Sequence, residues 1–317
     1  MKDYITNSFA LSTQATYASG VSTYRKFLQY IDRDTLFFQA PTYKVVMLFI
    51  TFLAHVLQFS FSGVKTYIQA LRSWSICNDL GDPLGFSTTQ EYKYKRLLTG
   101  IKRTTASTKR IRKALTYGKM KRLFAAAKKL HTSTFEIETF RCALLVGFHG
   151  FLRAAEYLST QYNMSSRLRR KDIRLGVDQS GREYIRLRLR SSKTSQFDST
   201  KVYISETHKP TCPVAALREY LRSNSGSRGR PLFNCAGVSL TSSRFNRLFK
   251  EAALLAGFNP HHYASHSLRS GAATSTASAG VPYHLVKDLG RWKSSCFLRY
   301  LVTNKASLLR AQAKTFV

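Results

Sequence analysis

The sequence predicts a mainly α-helical chain with one small antiparallel β-sheet, an α+β fold in two parts. Three observations lead there. Apolar residues recur at three- and four-residue steps through the first hundred positions, strict alternation is confined to a short stretch of the second half, and a polar, basic run separates the two. At roughly 100–200 residues per domain, 317 residues are enough for two cores.

In the first part, Ser12-Thr13 is expected to cap a helix whose inward positions are Tyr17, Val21, Tyr24, Phe27 and Leu28. A second helix follows at about 43–58. The apolar run Val45 to Phe59 has 15 residues interrupted by Thr51, His55 and Gln58, short of the roughly 20 that span a bilayer, so it reads as a buried core helix. A third helix is opened by Ser60 or Ser62, runs through Val64, Tyr67, Ile68, Leu71 and Trp74, and stops before Asn78, Gly81 and Pro83. A fourth covers 89–101. The expected division is a helical domain at 1–104, a basic linker at 105–115 and a mixed domain at 116–317.

The run from Gly100 to Lys113 is polar and unpatterned. Its Lys102, Arg103, Lys109, Arg110, Arg112 and Lys113 are candidate phosphate contacts, with a solvated charge run or an import signal as the alternative. In the second part, helices are expected at 117–129 and 134–150. From Glu183 to Arg190, Tyr184, Arg186, Arg188 and Arg190 alternate with Ile185, Leu187 and Leu189, the pattern of a half-buried strand. Its neighbours are Asp172 to Val177 and Lys201 to Ser205, giving three antiparallel strands. From Pro213 onward the pattern is again helical, with breaks at Ser223 to Pro231, Asn259-Pro260 and Gly280 to Pro282.

Composition narrows the function. Fifty Lys and Arg stand against 17 Asp and Glu, a net charge of +33, while 13% of residues are aromatic. That aromatic content excludes a disordered basic tail. Self-repulsion of such a charge is relieved by a polyanion, and nucleic acid supplies counterion release. Anionic membrane is the rival, but Met1 to Tyr4 has neither a signal pattern nor a lipidation motif, so an intracellular protein is expected. Five scattered cysteines, without C-x-x-C pairs, indicate neither a disulfide framework nor a zinc site. No metal site or cofactor is expected.

Four local features could carry chemistry. Arg153 and Glu156 stand three apart, as on one helix face; a surface ion pair is the bland alternative, although the apolar run Gly147 to Leu152 argues for partial burial. Lys193 sits in a loop, Ser191 to Ser195, between two strands, where solvent exposure is the default. At Ser265 to Thr274 a serine opens a small-residue helix with His266 and Arg269 on one side, beside first-turn amides that favour an anion. In Leu289 to Leu301, Gly290 ends a short helix, Ser294 or Ser295 caps the next, and Tyr300 lies almost two turns inside it, where core packing is the ordinary fate of a tyrosine.

In that order Arg153, Lys193, the H-x-x-R of His266 and Arg269, the G-R-W at 290–292 and Tyr300 resemble the active-site series of the tyrosine recombinase (phage integrase) family. The resemblance extends over essentially the whole chain, because that family also joins an N-terminal helical core-binding domain to a mixed catalytic domain through a basic linker. The wording H-S-L-R-S-G-A-A-T and L-G-R-W-K-S-S-C-F-L-R-Y is similar to recombinases of eukaryotic mobile elements of the Crypton and DIRS/Ngaro kinds.

The resemblance implies a site-specific recombinase or integrase that needs no metal or ATP, acting on double-stranded DNA as a homotetramer on two sites. Arg153 and Arg269 would clamp the scissile phosphate, and Tyr300 would attack it to form a 3′-phosphotyrosine. Lys193 would protonate the leaving oxygen, His266 would assist proton transfer at the tyrosine or bond a phosphate oxygen, and Glu156 would orient Arg153. Residence in the nucleus follows if the host is eukaryotic. One departure stands out. Nine residues before Tyr300, where the family has a second His or Trp, is Arg291, while the tryptophan is Trp292; either Arg291 donates to the phosphate or a local shift brings Trp292 in. Lys201 is the alternative to Lys193. A mobile-element-derived DNA-binding protein without catalysis, and a type IB topoisomerase, are the competing readings.

Overall fold

A computed structural model of the chain describes residues 7–105, 112–159, 168–190, 199–224, 226–235 and 237–300, with Leu309, Gln312 and Ala313. The chain divides into two compact units, Met1–Lys109 and Arg110–Val317.

In the first unit, α1 (Leu11–Tyr30) buries Tyr24, Phe27 and Leu28. It starts after Ala10 with no side-chain cap, so Ser12 and Thr13 lie inside the helix; the carbonyl of Ser12 accepts the Thr16 hydroxyl at 2.8 Å. Helix α2 (Tyr43–Thr51) runs on into a wider π turn, Phe52–Val56, and buries Val46, Phe49, Ile50 and Leu53. Ser60 caps α3 (Phe61–Cys77) by accepting from the Gly63 amide. A Cβ on Gly20 would lie 2.6 Å from the Ala70 side chain, so glycine lets α1 approach α3 closely. Helix α4 (Thr88–Thr104) begins with a reciprocal Ser87–Gln90 cap. It extends past 101, placing Lys102 and Arg103 in its last turn rather than in an irregular linker.

The second unit opens with α5 (Tyr117–Ala126) and α6 (Thr134–His149), the latter capped by Ser133 and almost wholly buried from Thr139 to Phe148. A single turn, α7 (Ala154–Tyr157), follows. Strands β1 (Ile173–Val177), β2 (Glu183–Leu189) and β3 (Thr200–Ser205) form the antiparallel sheet in the order β1-β2-β3. Ile185 pairs with Leu175 on one side and Ile204 on the other. Ile185, Leu187 and Leu189 are buried, as the alternation predicts. Helix α8 (Pro213–Ser223) has proline in its first turn, where no amide is needed.

The region beyond α8 is not purely helical. Asn234–Cys235 (β4) and Val238–Ser239 (β5) form a two-stranded hairpin, too short to show alternation. Helices α9 (Ser242–Leu255), α10 (His266–Ser278) and α11 (Tyr283–Leu289) complete the unit, and Ser295–Tyr300 is a 3-10 turn rather than an α-helix. No described helix is long and apolar enough to cross a membrane, and all five cysteines are free.

Candidate active site

Helix α10 supplies the floor. The end of the basic run and the residues after it lie along its start: the amides of Lys113 and Leu115 donate to His262 and Ser267 carbonyls at 2.8 and 2.9 Å, and Arg112 Nη1 donates to the Tyr263 carbonyl at 3.3 Å. A Cβ on Gly271 would collide with the Leu115 carbonyl, so the small-residue stretch is what permits this approach. Ser265 is itself helical and caps nothing. The Ser267 and Leu268 amides already bond the Ala264 and Ser265 carbonyls, so the first turn does not offer the free amides expected of it.

His266 and Arg269 part company. His266 is exposed, whereas Arg269 is 2% exposed. Arg269 Nη1 donates to the Phe151 carbonyl at 2.5 Å and Nη2 to the Gly290 carbonyl, and its guanidinium lies 4.5 Å from the centre of the Trp292 ring, within cation–π range. Burial, then repulsion from Arg153 and Arg291, pushes the Arg269 pKa down to about 10. It remains charged at neutral pH.

Arg153 is not on a helix face with Glu156. It precedes α7, and its backbone amide donates to Glu156 Oε2 at 2.8 Å while its Nη1 donates to Oε1 at 2.9 Å. Glu156 is buried at 4% exposure, and Arg291 Nη2 approaches the same Oε2 at 2.8 Å. Two guanidinium groups therefore share one carboxylate, and Arg269 adds a third positive charge close by. That leaves positive charge without a protein counterion in a poorly hydrated place, which is costly unless an anion binds there.

Tyr300, half-buried at the end of its 3-10 turn, is tethered to α10 twice. Its carbonyl accepts from the Thr274 hydroxyl at 2.6 Å, and its phenol lies 3.1 Å from His266 Nε2. Trp292 is 9% exposed, stacked on Phe297 at 5.8 Å and 5.9 Å from the Tyr300 ring. A Cβ on Gly290 would enter the Trp292 ring, so G-R-W requires its glycine. Desolvation of the ring where it faces Tyr300, then repulsion from Arg269, Arg112, Arg153 and Arg299, holds the His266 pKa below the usual histidine range even though the residue as a whole is exposed. That shift favours the uncharged imidazole.

Arg153, Glu156, His266, Arg269, Arg291, Trp292 and Tyr300 thus come together from four separate stretches of chain. Lys193, Lys109 and Arg110 lie outside the described residues. Lys201 is exposed on β3 opposite Arg188, and no contact among the described residues joins it to the cluster. Lys102 and Arg103 are exposed in the first unit. Sequence reasoning missed the Thr274 tether and the Trp292–Arg269 stack; the run of small residues in α10 was the available sign that something packs closely there.

The family model described as "Phage integrase family" matches residues 113–305. The chain belongs to the phage integrase family. Among solved structures, the chain is similar to the XerH site-specific recombinase bound to a palindromic difH substrate in a post-cleavage complex, with 15% identity over 95% of this chain and 79% of that one and a TM-score of 0.67. It is similar to a lambda integrase dimer bound to a COC′ core site, with 17% identity, 94% and 90% coverage and a TM-score of 0.61. The Tn1549 transposon integrase in complex with circular intermediate DNA follows at 14% identity, 93% and 98% coverage and a TM-score of 0.58. At such identities the likeness is one of fold. No curated protein sequence matched.

Proposed function

We propose that this integrase-family chain is a DNA strand transferase that cuts and rejoins double-stranded DNA through a 3′-phosphotyrosine. The observation that carries the reading is the phenol of Tyr300 beside the His266 imidazole, at the edge of a cluster in which Arg153 and Arg291 share the Glu156 carboxylate while Arg269 bonds backbone carbonyls. A phosphodiester supplies the missing negative charge.

In the proposed reaction Tyr300 Oη attacks phosphorus, the O5′ bond breaks, and the 5′-hydroxyl leaves. His266, unprotonated at Nε2, takes the phenolic proton. Lys193 protonates the departing oxygen, with Lys201 the alternative. Arg153, whose side chain is 23% exposed, meets the non-bridging oxygens at the surface. Arg269 stabilises the pentacoordinate charge from beneath with the N–H groups left over from its two carbonyl bonds, and Trp292 holds its plane. The bond energy is conserved in the phosphotyrosine, so rejoining calls for neither ATP nor metal.

The first unit serves as a core-binding domain. Lys102, Arg103, Lys109, Arg110, Arg112 and Lys113 contact backbone phosphates, positioning the duplex without reading its sequence. Two DNA sites and four subunits complete the assembly, in the manner of a mobile-element recombinase of the Crypton or DIRS/Ngaro kind, acting in the nucleus if the host is eukaryotic.

The test is incubation with a labelled, nicked duplex carrying an element end, followed by denaturing electrophoresis. Wild type is expected to give a covalent protein–DNA band that Tyr300→Phe abolishes at unchanged DNA affinity. A wild type that binds the duplex and forms no adduct would instead be a DNA-binding protein without catalysis.

A further inference from the structure

The one-residue offset between Arg291 and Trp292 sends their side chains to different partners. Gly290 closes α11, and Arg291 follows with φ of 54°, in the left-handed region that residues with a Cβ seldom adopt. Phe151, in the turn after α6, shares that conformation with φ of 49°. The two turns are clasped together. Arg291 Nη1 donates to the Gly150 carbonyl at 3.1 Å, and Nη2 donates to the Phe151 carbonyl at 3.4 Å and to Glu156 at 2.8 Å. Trp292 goes instead to the guanidinium of Arg269.

We propose that Arg291 is a positioning residue that fixes Glu156, and through it the guanidinium of Arg153, and is not a ligand of the scissile phosphate. The proposal rests on reading the cluster as a phosphate site. Glu156 presents Oε1 to Arg153 Nη1 and Oε2 to the Arg153 amide and Arg291. A carboxylate held at both oxygens has one orientation, and so does the guanidinium it grips. Arg291 also offsets the buried charge of Glu156, which Arg153 would otherwise do alone. The side chain of Arg291 is 14% exposed against 23% for Arg153, and its Nη2, unlike either terminal nitrogen of Arg269, has both N–H groups taken, by the Phe151 carbonyl and Glu156. Reaching a phosphate would break the turn that carries Trp292.

A double-mutant cycle decides. Covalent-adduct formation is followed in a single turnover at saturating duplex for Arg291→Gln, Glu156→Gln and the pair, with DNA affinity and melting temperature measured alongside. Misorientation of Arg153 predicts a loss of about 100-fold in rate for each single variant, unchanged DNA affinity, and a pair no slower than the worse single variant. Arg291→Lys keeps the charge and recovers part of the rate; it carries the test should Arg291→Gln fail to fold. Multiplying losses in the pair, or weakened DNA binding by Arg291→Gln, would overturn the proposal.

Hindered rotation of the Arg153 guanidinium, seen by nitrogen-15 NMR of the free protein, gives a readout independent of cleavage. It should be lost in Arg291→Gln and in Glu156→Gln, and its persistence in Arg291→Gln would equally overturn the proposal. A wild type that forms no adduct but shows this response would sink the phosphate-site reading and leave the positioning of Arg153 standing.

Discussion

The two units bury different chemistry. Among the described residues of the first unit, the core is aromatic and aliphatic: Tyr24, Phe27 and Phe49 meet at ring distances of 5.2–6.2 Å, and Ser75 is the single buried polar side chain apart from the Tyr24 phenol, which burial pushes up to about 12. The second unit buries Glu136, Glu156, Asp172 and Arg269. Buried charge contributes little to stability and costs much when unpaired, so its concentration in one unit marks where binding outweighs folding.

Within that unit the ion pairs divide further. Glu136 is matched by Arg244, and Asp172 by a forked contact from Arg190 at 2.9–3.1 Å. Both are balanced, one carboxylate to one guanidinium. At Glu156 the balance fails, with Arg153, Arg269 and Arg291 about one carboxylate. The difference separates a structural ion pair from an anion site more sharply than burial does.

That contrast can be broken in three ways. The largest expected effect is at the unbalanced cluster: Arg269→Lys, losing the fork and the stack on Trp292, should slow adduct formation by roughly 10³-fold while the chain stays folded, as measured by single-turnover cleavage beside calorimetry. Comparable activity in that variant would show Arg269 to be a scaffold residue.

Next is a pH effect. Burial pushes the His149 imidazole down to about 4, from 6.5, and its Nε2 has no hydrogen-bond partner among the described residues. The unfolded chain takes up a proton at about 6.5 and the native chain does not until about 4. Stability on this account is full above pH 6.5 and falls as the pH drops towards 4, by on the order of 3 kcal/mol. His149→Asn should flatten that part of the pH–stability curve, measured by urea unfolding between pH 7 and 4; an unchanged curve would remove His149 as its cause.

The smallest is at a balanced pair. The Arg244 hydrogen bond holds the Glu136 carboxyl below the usual range, so its stabilisation is present above the ordinary carboxylate pKa and is lost as the pH falls through the depressed one. Glu136→Gln should cost about 2 kcal/mol at pH 7, less than a fully buried pair because Arg244 keeps contact with water, and leave the cleavage rate unchanged. A large loss of cleavage would show that balanced pairs also serve the reaction.

Much of this was legible beforehand. Three- and four-residue periodicity marked the long helices, because burying one face of a helix demands it, and alternation marked β2 for the same reason with a period of two. The hairpin of β4 and β5 was not legible, since two residues per strand show no period. Ser265 and Ser12 looked like caps because capping is a local preference, and their neighbours in space determined otherwise: Ser265 donates its amide to Asn246, from α9, at 2.9 Å.

Local order along the chain was therefore enough to specify the long helices and the three-stranded sheet, the basic character, the residue types of the cluster and the family they belong to. Only folding in three dimensions could determine which of Arg291 and Trp292 joins Arg269, that one carboxylate serves two arginines, and that the Tyr300 phenol meets His266. Those outcomes depend on a left-handed residue after Gly290, a second one at Phe151, and contacts between residues more than a hundred positions apart, none of which leaves a periodic trace in the order of amino acids.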